Sequence, residues 1–198
     1  MSRYDDGVRS LCHSLGLATV VASLAFACAS RPSVDCRNLR SVEREAQLRT
    51  FRYPNGTVSA TGRGLPESWD DEFERWATAS KRDVPATRVG RWRYFYAAGT
   101  KRAEVSYALA CYIQCCTGGA CPQIHDYPVG AFRLWYPSGR KLAEGSFVAV
   151  KWHVETSCEG GDDTTVARIS SDSRFWREDE SAMTVGEARA AGYLLAGW

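Results

Sequence analysis

Methionine and histidine are scarce in this chain: of 198 residues, 2 are Met and 3 are His. So few histidines leave most of the sequence without the usual general base and the commonest metal ligand. Charge of one sign is not in surplus either. Lys and Arg number 25 against 23 Asp and Glu, a formal net charge of +2, and no concentrated basic face of the kind that holds nucleic acid can be found. There is no H-E-x-x-H, no G-x-S-x-G and no phosphate-cradling glycine loop. After the first 27 residues no apolar run approaches membrane-spanning length. These absences speak against an enzyme, a resident metal or cofactor, and a nucleic-acid partner. What the chain does have is aromatic residues, 12% of the total, a composition suited to sheet faces paved with flat rings.

The N-terminus reads as a processing segment. Arg3 and Arg9 are offset by Asp5 and Asp6, and Leu15 to Ala27 is uncharged and mostly apolar. That run is long enough for a signal-peptide core and short for a bilayer span. It leads into Leu24-Ala-Phe-Ala-Cys28-Ala-Ser30, which is similar to a bacterial lipoprotein signal, so lipid attachment at Cys28 is expected. Ala25-Phe-Ala27 also suits an ordinary small-x-small cleavage site, which would give a secreted or periplasmic protein instead. The expected organisation is a signal peptide over 1–27, a tether and lead-in over 28–47, and one β domain over 48–198. Insertions fall at 63–89 and 108–129.

Cysteine parity agrees with export. With Cys12 in the signal and Cys28 assigned to lipid, Cys36, Cys111, Cys115, Cys116, Cys121 and Cys158 remain. An even set suits disulfides in an oxidising compartment. Spacing leaves connectivity open, although Cys115 and Cys116 should choose different partners, since neighbours on an extended chain point to opposite faces. Zinc ligation by Cys111, Cys115, Cys116 and Cys121 is the competing reading, weakened by the lack of a C-x-x-C pair.

The region from Gly90 to Tyr107 returns forty residues later as Gly130 to Phe147. Gly90, Arg93, Tyr96, Gly99, Lys101, Ala103, Glu104 and Ser106 recur at Gly130, Arg133, Tyr136, Gly139, Lys141, Ala143, Glu144 and Ser146. A fainter copy runs from Arg49 to Gly62, aligned through Tyr53 and Gly56. In each copy a Tyr precedes two turn residues and a Gly, the chemistry of a tight hairpin. Period two then puts Trp92, Tyr94 and Tyr96 on one face and Arg91, Arg93 and Phe95 on the other. Phe132, Leu134 and Tyr136 repeat the first face, opposite Arg133 and Trp135. Repetition of a small unit means growth by stacking.

These residues resemble the MORN repeat in its bacterial variant, roughly G-x-W-x-x-Y-Y-x-x-G-x-x-x-x-E-G-x-Y. Gly130, Phe132, Trp135, Tyr136, Gly139, Glu144, Gly145 and Phe147 carry the match, as do Gly90, Trp92, Phe95, Tyr96, Gly99, Glu104 and Tyr107, with Val105 at a Gly position. The resemblance covers about a quarter of the chain. It implies a mainly β fold, a meandering antiparallel sheet of repeated hairpins, with binding or scaffolding rather than catalysis. Some bacterial relatives are antitoxin-like, so a protein that neutralises one partner is the alternative.

Elsewhere, 37–48 suggests a short helix or an irregular lead-in. Ser68 to Trp76 has a helix-start signature, and 108–129 reads as a disulfide-stapled loop. Val148, Val150, Trp152 and Val154 alternate as a strand returning after a turn at Gly160–Asp163, while Arg174–Arg177 begins one more strand. Thr184-x-x-Glu187 opens a capping box. His125, beside Asp126 and near the cysteines, could serve a Cys/His enzyme only if one thiol stays free. Asp162 and Asp163 fall short of a calcium site, and Asn55-Gly56-Thr57 reads as turn chemistry. The expected working surface is the face bearing Arg93, Phe95, Arg133 and Trp135, where arginine beside exposed rings has the composition of a protein-binding hot spot. Expected partners are the membrane, through the N-terminal lipid, and an envelope ligand or protein.

Overall fold

Strands alternating bulky apolar with charged residues must bury one face and solvate the other, and hairpin turns force neighbours antiparallel. The computed structural model describes residues 36–65, 87–117 and 119–194, all within one unit, Pro32–Trp198. A 3₁₀ turn at Cys36–Asn38 runs into α1 (Leu39–Glu45). There follow β1 (Gln47–Arg52), β2 (Val58–Gly64), β3 (Arg88–Phe95), β4 (Lys101–Cys116), β5 (Gly119–Trp135) and β6 (Lys141–Val154). Then come β7 (Asp162–Ile169), β8 (Arg174–Trp176), β9 (Ala182–Met183) and α2 (Val185–Ala190). The nine strands form one antiparallel sheet ordered β1-β2-β3-β4-β5-β6-β8-β9, with β7 pairing the far half of β6. The helix-start signature at Ser68–Trp76 and the proposed signal and tether up to residue 35 lie outside the described residues.

The face assignment read from period two holds. Trp92, Tyr94, Phe132, Leu134 and Tyr136 are buried with Ala103, Val105, Tyr107, Ala143, Phe147 and Phe175 in the main core. Arg91, Arg93 and Arg133 are exposed on the opposite face. The three tight turns share one geometry. Gly56 N–H donates to Tyr53 O, Gly99 N–H to Tyr96 O and Gly139 N–H to Tyr136 O, at 2.8, 2.8 and 2.9 Å. All three glycines have φ near +85°, a region that L side chains rarely adopt. A fourth turn of the same form, which the sequence did not reveal, joins β8 to β9: Glu180 N–H donates to Arg177 O at 2.9 Å. There the αL position holds Glu180, at φ 70°.

Tyrosine hydroxyls tie each hairpin to the next. Tyr53 Oη donates to Phe95 O, Tyr96 Oη to Trp135 O and Tyr136 Oη to Trp176 O, at 2.8, 2.8 and 2.9 Å. In every case the acceptor is the residue preceding the equivalent turn position of the following hairpin. Burial is the main force raising the Tyr136 hydroxyl to about 12, with the neighbouring Tyr193 reinforcing it, so this donor stays protonated at physiological pH. The fourth hairpin has Arg177 in place of tyrosine. Its guanidinium turns instead to Ala182 O and Glu187 of α2, whose Thr184/Glu187 capping box forms as the sequence predicted.

A second repeated feature explains a glycine. Gly62 and Gly145 occupy matching positions six residues past their turn glycines. A Cβ on Gly62 would sit 2.3 Å from Trp92 Cδ2, and one on Gly145 would sit 2.1 Å from Ser173 Oγ. Ser173 stands in the fourth hairpin where Trp92 and Phe132 stand in the second and third. Each glycine therefore receives the first inward side chain of the next hairpin. Trp92, fully buried, also donates Nε1–H to Arg63 O at 2.8 Å.

The segment 108–129 is not the stapled loop that its four cysteines suggested. It forms the outer reaches of β4 and β5, paired from Ser106/Val129 out to Cys116/Gly119. Pro122 and Pro128 are tolerated because they oppose Ile113 and Tyr107. Odd-numbered β4 residues here turn their amides away from β5, so neither proline removes a β4–β5 bond. β3 stops pairing with β4 at Tyr107, which leaves the outer edge of β4 without a strand. Side chains from around the β6–β7 hairpin cover it. Asp162 Oδ2 accepts from Ile113 N–H at 2.6 Å, Ser157 Oγ donates to Cys115 O at 2.7 Å, and Thr164 Oγ1 donates to Cys111 O at 3.4 Å. An uncovered edge of this length would invite pairing with other chains. Asp162 and Asp163 thus begin strand β7 rather than completing the turn before it.

The open reading of 37–48 resolves into the short helix α1, ending at Glu45, and the start of β1 at Gln47. Val42 and Ala46 bury against Leu65, Val89 and Leu109 in a second, smaller core beside the outer β4–β5 ribbon.

Candidate functional site

All six cysteines among the described residues are paired: Cys36 with Cys111, Cys115 with Cys158, and Cys116 with Cys121. The adjacent Cys115 and Cys116 do take different partners, as strand alternation requires. Three disulfides point to an oxidising compartment. They also leave the zinc reading without thiolates, and no group of three or more His, Cys, Asp or Glu among the described residues is placed to hold a metal. Cys28 lies outside the described residues.

His125 does not face a free thiol. Its Nε2 lies 2.8 Å from Thr164 Oγ1, and its ring sits against Tyr112. Burial depresses its pKa below 6.5, with a hydrogen bond to Asp126 O and the Asp126 charge working the other way. The unfolded chain therefore binds this proton more readily than the folded one, and the stability due to neutral His125 is present above pH 6.5 and lost on acidification below it. Thermal melts at pH 7 and pH 5 should show a loss of Tm at pH 5 that shrinks in His125→Gln. An equal loss in both proteins would reject His125 as the source. The depressed carboxylates Glu104, Glu144, Asp162, Asp179 and Glu187 start from 4.5 or 3.8, so they titrate below this window.

Asp126 serves a different purpose. It accepts from Arg88 twice, Nε at 2.9 Å and Nη2 at 2.8 Å, with Arg88 N–H as a third donor. Arg88 also donates to Tyr107 Oη at 2.8 Å and Tyr94 Oη at 3.1 Å and lies over the Tyr107 ring. Desolvation works against the Arg88 charge, but the Asp126 carboxylate outweighs it and raises the net pKa further. Burial pushes the Tyr107 hydroxyl up as well. A closed network with every strong partner satisfied is a structural device. Sequence reading missed it because its members come from three strands.

The predicted binding residues Arg93, Phe95, Arg133 and Trp135 do lie together on the solvated face of the sheet, arranged as a ladder. Outward rows run Arg93, Arg133, Arg174 and Phe95, Trp135, Trp176 across successive hairpins, by the turn alignment. Between them stand Lys101 and Lys141. Lys101 Nζ is 4.9 Å from the centre of the Trp135 ring and Lys141 Nζ 5.5 Å from that of Trp176, within cation–π reach. Glu104 takes bonds from Arg93 Nε at 3.1 Å and Lys101 Nζ at 3.4 Å. Partial burial acts to raise the Glu104 carboxyl, but the two cations hold it below its usual range. Glu144 pairs with Lys141 at 2.8 Å. Arg133 is the register partner of both Glu104 and Glu144. Such exposed pairs each contribute at most about 1 kcal/mol, so a ligand could displace them at little cost.

Beside this ladder, a cavity of about 320 Å³ opens where β4 bulges at Val105, lined by Arg91, Glu104, Phe132 and Arg133 among others. Arg174 and Trp176 extend the surface into the fourth hairpin, a continuation hidden in the sequence because that hairpin lacks its turn tyrosine and glycine. No protein-family model, curated protein or solved structure matches this chain.

Proposed function

We propose that the protein is an exported, lipid-anchored binding or scaffolding protein of the bacterial cell envelope, built from degenerate MORN-type hairpins. The single observation that carries this reading is the outward ladder of Arg93, Phe95, Arg133 and Trp135, where guanidinium groups alternate with half-exposed rings on the solvated face of one sheet. Arginine and tryptophan on a preorganised surface bind well because little conformational entropy is lost on contact. Three disulfides and the lipoprotein-like sequence ending at Cys28 support the location. The recurrent tyrosine bonds and turn geometry support the repeat assignment.

Two measurements test it. Cys28→Ser should move the protein from the membrane fraction to the soluble fraction, and an unchanged distribution would count against anchoring. A photo-crosslinking side chain at position 135 should trap envelope material that the same group at Lys151 does not, and Arg93→Ala/Arg133→Ala should abolish the adduct. Equal labelling at both positions would reject the ladder as the binding face. A single stoichiometric protein adduct would favour the antitoxin-like alternative over general scaffolding.

A further inference from the structure

β1 is the first strand of the sheet and pairs only with β2. Tyr53 N–H bonds across the hairpin to Thr57 O, so by alternation the odd-numbered residues of β1 address β2. Leu48 and Thr50 therefore turn their N–H and C=O groups away from the sheet, where no other described residue meets them. The outer edges of β4 and β5 are guarded, β4 by Asp162, Ser157 and Thr164, and β5 by Pro122 and Pro128, which are turned away from β4. β1 has neither device among the described residues. Its charge is one-sided: residues 47–64 contain Arg49, Arg52 and Arg63 and no Asp or Glu. Arg63 donates to Glu43 O and Ala46 O, and Arg52 to Gly56 O. Arg49, on the core side of the strand with Phe51, keeps an Nε–H that is shut off from solvent and has no acceptor, a costly state for a buried donor.

From this open edge we infer that β1 receives an extended acidic segment of a partner protein as an added strand. Main-chain bonds to Leu48 and Thr50 hold the segment, and alternate side chains select it. A carboxylate on its core-side face accepts from Arg49, while an apolar residue on the other face covers Leu48, which is 75% exposed. A second copy of this chain is the poorer occupant, because β1 beside β1 gathers two arginines from each copy and no carboxylate. β2 separates this edge from Arg93, so the site can be tested apart from the ladder.

Fluorescence anisotropy with a labelled, acetylated peptide of alternating Glu and Val provides the test, together with amide hydrogen exchange read by NMR. Saturable one-to-one binding is expected, with slowed exchange at Leu48 and Thr50. The same peptide with Lys in place of Glu should not bind. Arg49→Gln should weaken binding about 10-fold, the change expected for one charge-assisted hydrogen bond. Thr50→Pro removes an outward N–H at a position where an edge strand tolerates proline, and should weaken binding as well. Should Thr50→Pro fail to fold, Arg49→Gln and the exchange data still decide. Arg93→Ala/Arg133→Ala should leave affinity unchanged, which keeps failure of the edge distinct from failure of the ladder. No binding, protection confined to the ladder face, equal affinity for the lysine peptide, or full affinity in both edge variants would each overturn the assignment. So would a dimer of the free protein in sedimentation equilibrium that Thr50→Pro dissociates, since the occupant would then be a second copy.

Discussion

Trp92→Ala lowers the stability of the domain by roughly 3–5 kcal/mol, the range for truncating a large buried aromatic. The indole is fully buried between Phe51 and Tyr94, at ring distances of 6.2 and 6.1 Å, and its Nε1–H satisfies Arg63 O. Deletion leaves both a cavity and an unpaired carbonyl. The companion change is Gly62→Ala, which forces a methyl against a ring that cannot swing away and costs about 1–3 kcal/mol as overpacking. The two must be coupled. In the Trp92→Ala background the added methyl enters the cavity, so Gly62→Ala should cost far less there, or even stabilise. Urea unfolding of the four proteins of the cycle measures this. Additive effects would show that the indole does not rest on Gly62.

The second large effect concerns the outer β4–β5 ribbon. The Cys36–Cys111 and Cys115–Cys158 bonds close sequence separations of 75 and 43 residues, whereas Cys116–Cys121 closes 5. Loop-closure entropy gives about 4 kcal/mol for each long bond and about 2 kcal/mol for the short one. Paired Cys→Ala variants should follow that order in denaturant midpoint, and loss of both long bonds together should unfold the protein at 37 °C, since a domain of this size holds only about 5–15 kcal/mol in reserve. Cys36–Cys111 ties α1 to the ribbon, and Cys115–Cys158 ties the ribbon to the β6–β7 hairpin that covers its edge. If the short bond proved the costliest to remove, chain entropy would not be the source of the stabilisation.

Legibility in the sequence followed the physics of each element. The two faces of β3 and β5 were readable because burial imposes period two, and Arg93, Phe95, Arg133 and Trp135 were placed on one surface by that argument alone. The capping box at Thr184 was readable because it is local. The fourth hairpin was not, because Arg177 and Glu180 replace the tyrosine and glycine that mark the others, while the turn itself is held by the Glu180 N–H to Arg177 O bond and by Asp179 Oδ1, which accepts from Ser181 N–H and Oγ–H. The β4–β5 ribbon reads as a loop because four cysteines and a Gly-Gly pair suggest crosslinks in place of strand pairing; only the register shows an extended ladder, with Pro122 and Pro128 at harmless positions. The Arg88–Asp126 pair depends on contacts between residues far apart in the chain, for which no local pattern exists.

The tyrosine bonds have a direction. Every donor reaches forward to a carbonyl that the following unit supplies, and the series stops where Arg177 turns to the C-terminal helix. The array is thus polar, like a zip with a slider stop at one end. Shortening it from the rear strips an acceptor from each preceding unit in turn, whereas shortening it from the front removes a donor and leaves every downstream joint whole.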